Sequence, residues 1–422
     1  MWLLRVDASS AVQNGRDSCS PERSASWWPA VKSLSTVTSK RCATALSTRW
    51  LSDGIIRCML HIIPGGSALT SEQAKILDDE FFQARPLAYF SARISALLSA
   101  SSEQNEVTAG DAVGFLKALG DLELANNLEH GDSDRDLQVA LDSVSVRHHA
   151  AEALIRMLHA VVVARPRTGD AACTWATITD GPIGLHEVTD ELAAAMNSDV
   201  GAFAKAFLPP KSVQSAADIE AFGVAWAWVL RAAQLLTDNE LTVNAAHNKL
   251  KHGLAIRTRD DVRLELMTGP GPGEDGEVPL SSFGPGKSIV IFDRPLVTYL
   301  ARPYPPRKQG LEATSLRVDP PAVLAEAWMI SWVYASVFHV AAARHGSTTD
   351  GLPAPYPAPR TGPTPAQLLE NSGAAALGYR GSVTTATDSS LKPRPSGVFF
   401  PGFFQSMTID FAGATAATVV DG

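Results

Sequence analysis

The sequence predicts an α+β protein that is predominantly α, a helical bundle with a small antiparallel β-sheet. Three observations predict it. Alanine is plentiful and strand formers are sparse in a chain that is 45% hydrophobic and 19% charged. Apolar residues recur three or four apart through several long stretches. Only between about 254 and 300 does that period shorten to two. A chain of 422 residues has length enough to bury a large core.

Taken in order, Phe81, Phe82, Leu87, Phe90, Ile94, Leu97 and Leu98 predict a helix over 70–100 that Pro86 kinks or divides. A second helical stretch follows near 108–129. A long amphipathic helix spans about 134–164, with Leu137, Leu141, Val144, Ala151, Ile155, Leu158 and Val162 on one side and Asp132, Ser133 and Asp134 as cap candidates. Residues 167–185 read as a loop, and 186–207 as a helix stopped by Pro209-Pro210. Across 216–252, Phe222, Trp226, Val229, Leu230, Ala233 and Leu236 form a wide apolar stripe, with a turn at 237–240 before a second helix. The alternation of Leu254, Ile256 and Thr258, and of Val262, Leu264 and Leu266, predicts two strands joined by a turn at Asp260-Asp261. A long Gly/Pro-rich loop covers 269–286, and Ser288–Phe292 and Leu296–Leu300 are further strands. Residues 320–344 are helical and apolar on nearly every side, as expected of a central buried helix and not of a membrane span.

The ends read differently. Residues 1–58 carry eight Lys/Arg against four Asp/Glu, while the remainder carries 28 against 40. They show no sustained apolar period. Composition fits a disordered leader, read as a translation start assigned too far upstream of Met59 in preference to an organellar transit peptide. Residues 346–422 are rich in Pro, Gly and Ala and read as a largely disordered tail, except for the Phe-rich segments at 398–400 and 403–404. The expected folded unit is therefore 59–345, with its sheet at about 254–300.

Four scattered cysteines make no disulfide framework or zinc knuckle, so a reducing cytoplasm is the expected compartment. A net charge of -8 excludes a protein built mainly to coat nucleic acid, though not one with a local basic site. Walker, Gly-x-Ser-x-Gly, His-Glu-x-x-His and Cys-x-x-Cys motifs are all absent.

Polar side chains converge at one place above all, His247-Asn248-Lys249-Leu250-Lys251-His252-Gly253-Leu254. On a helix at about 100° per residue, Asn244, Asn248 and His252 form one line and His247 and Lys251 a neighbouring one. Val243, Ala246 and Leu250 fall on the opposite, apolar side. Gly253 and Leu254 suit a helix C-terminus, where Lys251 and His252 complement the macrodipole. The plain structural alternative is a well-capped exposed helix end.

A second cluster holds His148, His149, Glu152, Arg156 and His159 on one arc of the long helix, with Glu152 and Arg156 four apart. Its plain alternative is a solvated face with one weak ion pair. If the two helices pack together, a pocket of His, Glu, Arg, Asn and Lys results. Histidine moves protons near neutral pH, and Asn, Lys and Arg hold phosphate. That set suits cleavage of a ribose-phosphate backbone by its own 2′-hydroxyl, without a metal. His148, His149, Glu152 and His252 offer metal ligands as another reading.

The octapeptide resembles the motif of HEPN-type helical proteins, an Arg, often a polar residue such as Asn, then a His. Asn248 and His252 match that pattern and spacing, and His247 stands where the family has Arg. The resemblance covers about 136–256. It implies a metal-independent ribonuclease or an RNA-binding defence protein. His252 would be the catalytic histidine, Asn248 an orienting residue and His247 a stand-in for the Arg, with Glu152 and Arg156 as the partner-helix pair. Lys249, Lys251, Asn244 and His149 would then contact substrate. No metal or cofactor is expected, and RNA and a second copy of the chain are the expected partners, with no membrane. The competing readings are a non-enzymatic helical interaction or scaffold protein, which would use the apolar helix 320–344 or the Phe-rich tail, and a metal-binding bundle.

Overall fold

The computed structural model describes residues 4–8, 66–100, 132–179, 184–208, 215–238, 243–251, 255–260, 262–267, 277–292, 295–302, 310–346, 362–371, 378–384, 397–400, 407–410 and 418–420. The fold is α+β and predominantly α. The helices are α1 (Ser71–Phe81), α2 (Pro86–Ala100), α3 (Asp132–Leu158), α4 (Thr174–Thr179), α5 (Leu185–Ser198), α6 (Val200–Phe207), α7 (Ala216–Thr237), α8 (Val243–Lys251), α9 (Pro320–Gly346) and α10 (Pro365–Asn371). The stretch expected to be helical near 108–129 lies outside the described residues.

Pro86 divides the first helical region as its missing N–H requires, and sits at the first position of α2. Thr70 caps α1, its hydroxyl accepting from the Gln73 N–H while the Gln73 side chain reaches back. The single helix expected over 186–207 is two. Asp199 leaves helical geometry at φ -148°, and its side chain caps α6 by accepting from the Ala202 N–H. The expected loop 167–185 contains α4. Its unpaired N-terminal N–H groups are met from a distance by the buried Asp78 carboxylate of α1, which accepts from Thr174 N and Trp175 N at 3.0 Å each. No local sequence pattern carries that cap.

The core forms around α9, which packs on α3, α2, α7 and α6. Phe338 of α9 meets Phe81 and Phe82 at ring distances of 5.2 and 5.4 Å, and Tyr334 meets Phe90. Both α7 and α9 are long and apolar enough to cross a membrane, and 72% of the most apolar window of α9 is buried inside the protein. That burial makes α9 the centre of the core.

One charged cluster lies inside this apolar packing. Glu326 of α9 bridges Arg147 of α3 and Arg231 of α7, and each of the three is at most 5% exposed. Burial alone pushes the Glu326 carboxyl up; the two guanidiniums more than reverse this and hold it below the usual carboxylate range. One carboxylate therefore ties three helices together.

The strands are β1 (Leu4–Ala8), β2 (Ile256–Arg259), β3 (Val262–Met267), β4 (Glu277–Pro279), β5 (Ser288–Phe292), β6 (Leu296–Ala301), β7 (Glu312–Arg317), β8 (Gly378–Ser382), β9 (Gly397–Phe400), β10 (Met407–Asp410) and β11 (Thr418–Val420). The main sheet is antiparallel in the order β10-β9-β8-β7-β6-β2. The expected hairpin between β2 and β3 does not form. β2 pairs with β6, and β3 pairs with β1 and β5 in a separate sheet.

The sheet also runs past residue 300. β7 alternates buried and half-buried residues, and Leu316 joins the helical core beside Val297 and Tyr299 of β6. β4 and a 3-10 turn at Leu280–Ser282 interrupt the expected loop 269–286.

Both ends contribute described residues to the sheets. Leu4–Ala8, inside the leader set aside by composition, pairs with β3. The Pro-rich tail contributes α10 and β8 to β11. Its anchors are the Trp228 indole N–H, which donates to the Pro363 carbonyl at 2.9 Å, and β8, which pairs with β7 and buries Gly378 and Arg380. Those partners are distant in sequence, so composition alone does not reveal them.

Candidate functional site

Helices α3 and α8 pack together, with β2 and β6 against them. The amphipathic pattern of α8 dictates how it seats. Val243 and Ala246 are buried, Leu250 packs on the core, and Asn248 and Lys251 face solvent. The pairing of the two helices brings together most of the residues that the sequence singled out.

At the junction the rings of His148 and His247 are stacked, with centroids 3.9 Å apart and planes inclined by 16°. His148 is 1% exposed, and His247 is half-buried. Both keep a buried Nδ1 that has no hydrogen-bond partner among the described residues. Glu152, one turn along α3, places a carboxylate oxygen 3.8 Å from His148 Nε2 and accepts from Arg156 Nε at 2.8 Å. His149 points to the other side of α3. It accepts from Arg93 Nη1 of α2 at 3.1 Å, and its ring edge meets Tyr89 and Phe90.

The electrostatics follow from this packing. Burial, then His247, Arg147 and the neighbouring basic groups, push the His148 imidazole down to about 3. His247 is also held below the ordinary imidazole value, chiefly by burial and then by Lys251 and His149 against the opposing pull of Glu152. His149 is lowered by burial and by Arg93, again against Glu152. The stacked pair is thus a neutral imidazole dimer at physiological pH, which is the form that tolerates face-to-face contact in an apolar setting.

This neutrality has a measurable consequence. A His depressed from about 6.5 to about 3 on folding contributes stability that is fully present above pH 6.5 and is lost as pH falls through that window. At pH 5 the unfolded chain gains a proton at His148 that the native protein refuses, a loss of about 2 kcal/mol. Urea unfolding of the wild type and His148→Phe at pH 7.5 and pH 5 checks this. The stability drop between the two pH values is expected to be smaller by about that amount in the variant.

The remaining predicted residues lie as follows. Asn244 and Asn248 share a line on α8, with Asn248 Nδ2 donating to Asn244 Oδ1 at 3.3 Å. Lys249 is half-buried and Lys251 exposed. His252 lies outside the described residues, as do Gly253 and Leu254. His159 has a different partner from the His148–Glu152 group. The last turn of α3 widens into a π-turn at His159–Val163, and His159 Nε2 donates to Glu191 of α5 at 2.7 Å.

The metal reading gains no geometry here. Stacked, nearly parallel rings direct their in-plane lone pairs along parallel planes, so the two imidazoles do not converge on one ion. Among the described residues no group of three His, Cys, Asp or Glu side chains is placed to hold one.

Sequence reading missed two features. Arg93 reaches His149 from α2, a helix that carries no motif. A cavity of about 550 Å³ opens beside the π-turn, with His159, Glu191 and Cys173 in its wall. Comparison with known protein families, curated proteins and solved structures found no match. The likeness to HEPN proteins therefore stands on the octapeptide.

Proposed function

We infer that the α3–α8 junction binds single-stranded RNA and cleaves it without a metal, in the manner the HEPN resemblance implies. The observation that carries this reading is the neutral His247, stacked on His148 beside the Glu152–Arg156 pair. A neutral imidazole accepts a proton from a ribose 2′-hydroxyl, which then attacks the adjacent phosphorus and expels the 5′-oxygen of the next nucleotide. Arg156 and Lys251 are the cations that would stabilise the charge developing on the phosphoryl oxygens. Lys249 adds a backbone contact, Asn248 and Asn244 orient the chain, and His252 supplies the proton for the leaving oxygen. His148 is a positioning residue, since it holds the His247 ring from the buried side.

RNA binding is tested apart from cleavage. Fluorescence anisotropy with a labelled single-stranded RNA, measured from 50 to 200 mM salt, is expected to show affinity falling with salt. The Lys249→Ala/Lys251→Ala protein is expected to bind more weakly, with the magnitude of the log–log salt slope reduced by about 1.4 for two lost phosphate contacts. Identical slopes for the two proteins would remove these lysines from the RNA interface.

A further inference from the structure

The cavity beside the π-turn lies past the C-terminal end of α3, eleven residues beyond His148, or about 16 Å along the helix axis. Its volume of about 550 Å³ falls within the range of small-molecule sites. Four elements build it. Leu69 comes from the segment entering α1, Val163 from the π-turn, Ala176 from α4 and Glu191 from α5. The wall is mostly apolar, and its polar groups concentrate at His159–Glu191 and at the segment Arg165-Pro166-Arg167.

The wall carries two arginines, Arg165 and Arg167, and two carboxylates, Glu191 and Asp170. The two carboxylates are already engaged, Glu191 by the His159 N–H at 2.7 Å and Asp170 by the Leu69 N–H at 2.6 Å. Arg165 uses Nη1 for both of its bonds, to the carbonyls of Val163 and Ala164 that the end of the π-turn exposes. This tethers its guanidinium at the wall and leaves Nε and Nη2 to meet an oxyanion. Cys173 is no nucleophile here. Burial pushes its thiol up to about 11, and the Sγ–H donates to Asp78 at 3.3 Å.

The geometry points to a binding site for a small organic carboxylate with an apolar body, the body filling the space between Leu69, Val163 and Ala176 and the carboxylate meeting Arg165. This goes beyond the RNA reading and does not depend on it.

Isothermal titration of the full chain with 4-phenylbutyrate tests it, with 4-phenylbutanol and inorganic phosphate as probes lacking the charge or the apolar body. Saturable binding of 4-phenylbutyrate is expected, at least ten-fold tighter than of either other probe. Arg165→Gln, at an exposed position, is expected to weaken it at least ten-fold with the unfolding temperature unchanged. Ala176→Leu is expected to abolish it by filling the space, and His247→Ala to leave it unchanged. The assignment is overturned by absence of binding at millimolar 4-phenylbutyrate, by equal affinity for the alcohol or for phosphate, or by arginine and leucine variants that bind like the wild type.

Discussion

Glu326→Ala is expected to lower the unfolding free energy by about 3–5 kcal/mol, because it leaves two buried guanidiniums facing each other without a counter-charge. Against a typical total of about 5–15 kcal/mol, that threatens the native state itself. Arg147 and Arg231 sit on α3 and α7, and Glu326 accepts from both while lying on the central helix α9. Neither arginine can reach water, since they are 5% and 1% exposed. Glu326→Gln keeps the shape and loses the charge, so it is expected to fall between wild type and Ala. Replacing all three residues by Met and Leu is expected to recover most of the loss, since desolvating the ions costs as much as their attraction returns. Chemical denaturation of the single and triple variants measures this. A loss below about 1 kcal/mol for Glu326→Ala would mean that the cluster is hydrated and not a buried tie.

His247→Ala is expected to reduce RNA cleavage by about 10²–10⁴-fold, the usual contribution of a positioned general base. The pH profile should carry the imprint of the stack. Because burial and Lys251 lower the His247 imidazole, the base is ready at lower pH than an ordinary imidazole. Activity should rise as pH climbs through that depressed value and level off below the usual His range. His148→Phe preserves a flat ring against His247 and removes no charge, so it is expected to leave the profile in place. His148→Ala removes the ring and is expected to lower kcat with KM near wild type, as befits a positioning residue.

The helices were legible in the sequence wherever one face alone decided burial. Pro86 divides α1 from α2, and the apolar side of α8 is the side that docks. What local pattern could not show was set by partners distant along the chain. Asp78 caps α4 across 96 residues of sequence, Glu326 neutralises arginines on two other helices, and Pro363 is held by Trp228. The strand pairing is hidden for the same reason. Alternation identifies a strand, but β2 prefers β6 to its neighbour β3, and the strands that complete the sheet come from a segment whose composition resembles a linker.

At the candidate site, spacing placed His148, Glu152 and Arg156 on one side of α3 and His247 on α8. It did not show that the two imidazoles stack, because that depends on how closely the helices approach. Nor did it show that His159 pairs with Glu191 of α5, a partner distant along the chain.

The most direct test of the α3–α8 site is the initial rate of cleavage of a single-stranded RNA oligonucleotide in excess EDTA, by wild type and by His247→Ala purified side by side. Cleavage by the wild type that leaves a 2′,3′-cyclic phosphate, reduced by at least two orders of magnitude in the variant, is the result expected. Equal rates for the two proteins, or no cleavage by either, would contradict it.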